Sequence, residues 1–177
     1  VFADLVLWVP GKSGSFIAAG HARPSSSATI FYRDITGSTI RAVWAEQVRE
    51  AYETGEIVDQ VQLDNYDGIP NRFTAVPVRR RVNHKSEAVE PKPIAVITRH
   101  TNLSETQVPN KLQLNYVHAG NDLLKMVSEG TFPDLAEVTG SRRGAPRAND
   151  GLLRLDPDGR VVFASPNALS AFARLGV

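Results

Sequence analysis

Four histidines, at positions 21, 84, 100 and 118, stand in a chain that has no cysteine. Imidazole does acid–base, ligand-field and phosphoryl-acceptor chemistry near neutral pH, so these four come first. His21, in "FIAAGHAR", and His100, in "PIAVITRH", each lie near the end of an apolar run. The two could converge on a metal or a haem, yet no His-x-x-x-His helical pair is present and the spacing demands no ligand set. Ordinary core or surface histidines are the favoured reading. His118 lies in "NYVHAGNDLL", a helical stretch. A phosphate-accepting histidine generally has an acidic residue directly after it to orient the ring. Here Ala119 follows, so His118 reads as a helix-face residue.

The missing thiols exclude disulfides, thiolate nucleophiles, Cys-ligated zinc, iron–sulfur clusters and thioether-linked chromophores. "GKS" at Gly11–Ser13 has the tail of a phosphate-binding loop but not its first glycine: the matching position is Val6, inside a strand. No helix follows it either, so a hairpin turn is expected. Arg79, Arg80 and Arg81, with Arg72 nearby, form a basic cluster beside Val76, Pro77 and Val78. Nucleic-acid modules interleave such charge with exposed aromatics. A solvated strand edge is the better account. No Ser-His-Asp set or signature carboxylate pair is apparent, so no catalytic residue and no metal ligand is assigned.

The elements that must position these residues follow from hydrophobic period. The 177 residues are 42% hydrophobic and 22% charged, with a net charge of +1, ordinary for a globular protein and no pointer to nucleic acid or an anionic membrane. Leu5–Val9 is far short of the roughly 20 apolar residues of a bilayer span, and no basic segment precedes it as in a signal peptide. "ADLVLWV" (3–9) reads as a strand buried on both faces, and "PGKSGS" as a turn into a returning strand at 16–23. After the Ser run at 25–27, "ATIFYRD" (28–34) reads as a third strand. Ile40, Val43, Trp44, Val48, Ala51 and Tyr52 then recur at threes and fours, a helix that Gly55 ends.

Strands are expected at 57–63, 72–80 and 93–100, with a charged connection at 81–92. Pro77 cannot donate to a ladder, so its strand should be an edge or carry a bulge. A second helix runs from after Pro109 to about Glu129, ended by Gly130. Its stripe of Leu112, Tyr116, Ala119, Leu123 and Met126, widened by Val117, Leu124 and Val127, can pack on its own sheet, face a partner helix, or do both. The class is α+β, with a mostly antiparallel sheet of five or six strands flanked by helices. Residues 131–150 lack a sustained period and read as a linker.

"GLLRLDPDGRVVFASPNALSAFARLG" (151–176) resembles the opening of a PAS domain: strand, Asp-x-x-Gly turn, strand, helix start. Such a fold needs three more strands, so the chain is expected to be part of a longer protein. Residues 1–130 resemble the GAF-like sensor domain of the PdtaS-like kinases, a cytosolic family of actinobacterial two-component histidine kinases. The resemblance rests on "ADLVLWVP", "HARPSSSATIFYRDITGS", "AVITRHTNL" and "NDLLKMVSEGTFPD", followed by "RANDGLLRLDPDG" and "SPNALSAF". It implies a GAF-like domain at 1–130, a linker at 131–150 and the N-terminal part of a PAS domain at 151–177.

The resemblance further implies a sensory input region that binds a small molecule and passes the signal through a dimer helix to a kinase core. ATP and Mg are expected for that core, with no cofactor in this stretch. The implied partner is a response regulator with an RNA-binding antitermination output. A homodimer and a cytoplasmic location are expected, without direct contact to nucleic acid or membrane. Ligands of such folds sit between sheet and covering helices. His21, Arg23, Trp44 and His100, polar or aromatic residues near strand ends, form the candidate pocket rim. The rival reading is a scaffold whose pocket is filled by its own side chains. An enzymatic reading through methionine sulfoxide reduction needs cysteines, which are lacking.

Overall fold

A computed structural model describes residues 3–24, 29–62, 68–80, 92–104, 108–131 and 151–176. His84, Arg81, the Ser run, nearly all of the charged connection and all but the first residue of the expected linker lie outside these. The chain divides into two compact units, Val1–Pro133 and Asp134–Val177.

The first unit is built on one antiparallel sheet. β1 (Asp4–Pro10) and β2 (Phe16–Ala22) form a hairpin, closed by one 3-10 turn at Lys12–Gly14 where the "GKS" stretch lies. α1 (Ala42–Thr54) follows, then β3 (Val58–Gln62), β4 (Asn71–Arg79), β5 (Pro93–Asn102) and α2 (Lys111–Ser128). The strand order is β2-β1-β5-β4-β3, so the first strand pairs with the last. Asp4 opposes His100, and Phe73 on β4 opposes His100 from the other side.

Side chains alternate across a strand, and the burial of β1 follows that period: Asp4, Val6 and Trp8 are buried, the residues between them only partly. One sheet face carries Val6, Trp8, Phe16, Ala18, Phe73, Ala75 and Val96, and α1 lays Trp44, Val48 and Ala51 on it. Enclosing each such Trp or Phe contributes about 2–3 kcal/mol. α2 packs on β4, and its Asn121 Oδ1 accepts from Arg99 Nη1 at 2.6 Å. Arg99 alternates with His100 along β5, so α2 lies over the opposite face.

Helix ends are chemically marked. Gly55 caps α1 with φ of 72°, a left-handed conformation that side chains disfavour. Asn110 and Gln113 form a capping box at the start of α2. Leu112, Leu114, Tyr116 and Met126 remain 37–46% exposed along α2, while Ala119 is buried.

One expectation needs correction. Over its described residues 29–34, the run "ATIFYRD" is not a strand. Ile30 and Phe31 are both 1% exposed and plug the core. Their amides are taken by side chains: Ile30 N–H donates to Asp4 Oδ2 at 2.9 Å and Phe31 N–H to Thr29 Oγ1 at 3.0 Å. Residues 37–40 instead cover the outer edge of β2, with Gly37 N–H donating to Ala18 O at 2.8 Å and Ile40 N–H to Phe16 O at 2.9 Å. Of the two alternatives expected for the Pro77 strand, it is the bulge that occurs: β4 is an inner strand with a register shift at Val78/Arg79, and Pro77 lies past the last β3 pair, Val58 with Ala75, so the missing donor disrupts little.

The second unit has β6 (Leu153–Leu155), β7 (Val161–Ala164) and α3 (Pro166–Leu175), with the strands forming a separate two-stranded sheet. Asp156 Oδ1 accepts from the amides of Asp158 and Arg160 at 2.9 and 2.8 Å, and Gly159 takes φ of 79° to close the turn. Ser165 caps α3 and Pro166 fills its first position.

Candidate functional site

The register that sets β1 beside β5 brings His21 and His100, far apart in sequence, against one ring. Phe31 meets His21 with centroids 4.9 Å apart and His100 with centroids 5.0 Å apart. Trp44 reaches His100 at 4.7 Å and Phe31 at 5.5 Å. Arg23 Nη2 donates to the Phe31 carbonyl at 2.9 Å. All four candidate residues therefore converge, and Phe31 joins them. Sequence reasoning missed Phe31 because "IFY" carries the period of a strand, in which it would have been one more ladder residue.

The convergence is not an open rim. Trp44 is 1% exposed and His100 wholly enclosed, because Phe31, Trp44 and Phe73 surround the imidazole. Arg23 is exposed and stands at the margin.

Each polar group here is held from several elements. Asp4, 1% exposed, accepts from Thr29 Oγ1 at 2.6 Å and from Ile30 N–H, and pairs with His21 Nε2 at 3.2 Å. Ile35 N–H donates to His21 Nδ1 at 3.3 Å, which leaves Nε2 as the protonated nitrogen facing Asp4. Asp34, 3.6 Å from the same ring, is held below the usual carboxylate range chiefly by the Thr36 amide and hydroxyl.

His100 Nε2 lies 2.9 Å from Thr98 Oγ1, which also accepts from Trp8 Nε1 at 2.8 Å. Burial pushes the His100 ring down to about 3, with the proximity of His21 a smaller cause, so it is neutral at physiological pH. Among the described residues its Nδ1 has no hydrogen-bond partner, nor has Asn71 Oδ1 on the same sheet face. Buried polar atoms are paired in the great majority of cases, so these two stand out as exceptions on the α1 face of the sheet.

The arrangement offers neutral hydrogen bonding inside an aromatic enclosure. Among the described residues no group of three or more His, Cys, Asp or Glu could hold a metal ion. His118 is exposed on α2. The basic cluster is dispersed: Arg72 pairs with Asp59, Arg79 turns to backbone carbonyls, and Arg80 is exposed. The Arg72 fork, more than the Thr74 hydroxyl, holds the Asp59 carboxyl below its ordinary range.

Residues 1–119 match the family model described as the GAF domain of histidine kinase PdtaS. The chain belongs to that family. Sensor histidine kinase PdtaS of Mycobacterium tuberculosis is 35% identical over 184 residues, covering 99% of this chain and 34% of the relative. The Mycolicibacterium smegmatis sensor histidine kinase PdtaS is 35% identical over 179 residues with the same coverage. The chain thus spans about a third of the length of these curated relatives. A solved structure titled as the sensor region of a sensor histidine kinase superposes with a TM-score of 0.64 at 34% identity, covering 99% of this chain and 56% of that one. The five-stranded antiparallel sheet with its helices is therefore a GAF domain of that family, and the cluster around His100 lies between that domain's sheet and α1. No described helix is long and apolar enough to cross a membrane.

Proposed function

We propose that this chain is the sensory input region of a two-component histidine kinase, and that its GAF domain binds a small molecule at the cluster of His21, Arg23, Trp44 and His100. The input role is supported by similarity to sensor histidine kinases along 99% of the chain. The ligand role rests on one observation: among the described residues His100 Nδ1, inside an aromatic enclosure, and Asn71 Oδ1, on the same sheet face, are buried without partners. A ligand that prefers one arrangement of α1 and the 29–40 segment shifts the population by its differential affinity. α2, with its partly exposed apolar stripe, pairs with a second copy and carries the shift onward. The 151–176 stretch is read as the start of a PAS domain, whose missing strands would cover Leu155, Val161 and Val162, all more than half exposed.

On this reading the whole protein is a cytoplasmic kinase that uses ATP and Mg to phosphorylate itself and then a response regulator with an RNA-binding antitermination output. One observation favours a second reading. Phe31, Trp44 and Phe73 already fill the space between α1 and the sheet, as in a scaffold that dimerises and binds nothing.

Thermal stability measured against cyclic nucleotides, haem and divalent metals separates the two. A ligand at 100 times its Kd adds about 2.7 kcal/mol. Stabilisation that Trp44→Leu abolishes supports the sensor. Silence across the panel supports the scaffold.

A further inference from the structure

Arg79 ends β4, and its guanidinium bridges the C-termini of the two helices that cover opposite faces of the sheet. Nη2 donates to Gly55 O, at the cap of α1, at 2.7 Å. Nη1 donates to Ser128 O, the last residue of α2, at 2.9 Å, with Ser128 Oγ at 3.5 Å. Both carbonyls belong to helix ends, where the last carbonyls lack intrahelical partners and the macrodipole is negative. The approach to α1 is tight: a Cβ at Gly55 would stand 2.5 Å from Nη2. Ser128 is buried on α2, and Glu129 N–H and Thr131 N–H bond back into that helix's last turn at 2.9 and 2.8 Å.

The guanidinium is planar and rigid, so its two nitrogens cannot follow separate targets. Displacement of Gly55 O turns the whole fork and lengthens or bends the bond to Ser128 O. α1 carries Trp44, Val48 and Ala51 into the core that holds His100, whereas α2 lies on the other face. Contact through the sheet alone would have to cross a packed layer that deforms little. We propose that Arg79 is the coupling residue that transmits a change in α1 to the end of α2. A lysine would keep the charge but, as a single point donor, lose the fork. The proposal concerns the link between the helices and stands whether or not a small molecule is the signal.

NMR amide exchange on the full chain tests this without a ligand. Val48→Ala loosens α1 from within the core, since Val48 is wholly enclosed. Gly55 N–H, bonded to Ala51 O at 3.1 Å, reports α1, and Glu129 N–H, bonded to Lys125 O, reports α2. Amides of the inner strand β5 report global opening and set the baseline. With Arg79 present, V48A is expected to speed exchange at Gly55 and at Glu129 by about tenfold over that baseline. In R79K, and in R79M, the Gly55 response persists and the Glu129 response falls to baseline. The proposal is overturned if Glu129 ignores V48A while Arg79 is present. It is equally overturned if half or more of that response survives in R79K, which retains the charge and serves where R79M fails to fold.

Discussion

The carboxylate of Asp4 and the imidazole of His21 meet 3.2 Å apart, side chains at 1% and 0% exposure, and together they pin a segment that belongs to neither strand. Asp4 holds Thr29 and Ile30, while His21 takes the amide of Ile35 on its other nitrogen. The sheet edge thereby dictates where Phe31 enters the core, and Phe31 unites the candidate site.

Removing that carboxylate should be severe. Asp4→Ala strips the acceptor from the enclosed Ile30 amide and from His21 Nε2, and should cost about 3–5 kcal/mol. Asp4→Asn keeps an acceptor oxygen and should lose less than half of that. Urea unfolding gives both values, and limited proteolysis should cut D4N first between Thr29 and Ile35. Equal stability for D4A and D4N would refute the hub.

His100 makes stability depend on pH. Its ring titrates at about 3 in the folded chain and near 6.5 when unfolded. Between those values the unfolded chain binds a proton that the folded chain refuses, so stability is full above about pH 6.5 and falls as pH drops. The slope contributed by this residue should approach about 1.4 kcal/mol per pH unit between roughly pH 6 and pH 4. Below about pH 4 the lowered carboxyls of Asp34 and Asp59 add to the loss. Urea midpoints across this range for the native chain and His100→Gln should diverge at neutral pH and converge in acid. Parallel curves would remove His100 as the cause.

Thr98 serves Trp8 and His100 with one hydroxyl. Thr98→Val preserves the shape and strips the oxygen, which should cost about 1–3 kcal/mol through the stranded indole N–H and imidazole nitrogen. The same change should blue-shift tryptophan emission, because Trp8 loses its polar partner. A T98V chain as stable as the native one would mean the shared hydroxyl does not matter.

Gly55→Ala places a Cβ where φ is 72° and Arg79 approaches. The left-handed conformation alone accounts for about 1 kcal/mol, and the displaced guanidinium should add a similar amount. Thermal unfolding of G55A against G55A/R79M separates these contributions. If the double variant unfolds where additivity predicts, the clash with Arg79 contributes nothing.

Much of the architecture could be read locally, because local rules govern it. The apolar run of β1, the three-four period and Gly55 of α1, the stripe of α2 and the Asp156–Gly159 turn each involve residues within one turn or one pleat of each other. The four site candidates are polar or aromatic residues near expected strand ends, but Trp44 stands on α1. What could not be read were Phe31, the enclosure of Trp44 and His100, and the grip of Arg79 on two helix ends. The Arg79 partners lie 24 and 49 residues away in the chain, and Trp44 and Phe31 meet His100 across still longer separations. Nor does "ATIFYRD" differ in composition from a true strand: the carboxylate of Asp4, 26 positions earlier, claims its Ile30 amide. Sequence alone determined which segments could bury an apolar face and roughly where each begins and ends. Tertiary structure decided the pairing of β1 with β5 and so the meeting of His21 with His100, since strand order follows from how all faces are covered together and leaves no mark in any single segment.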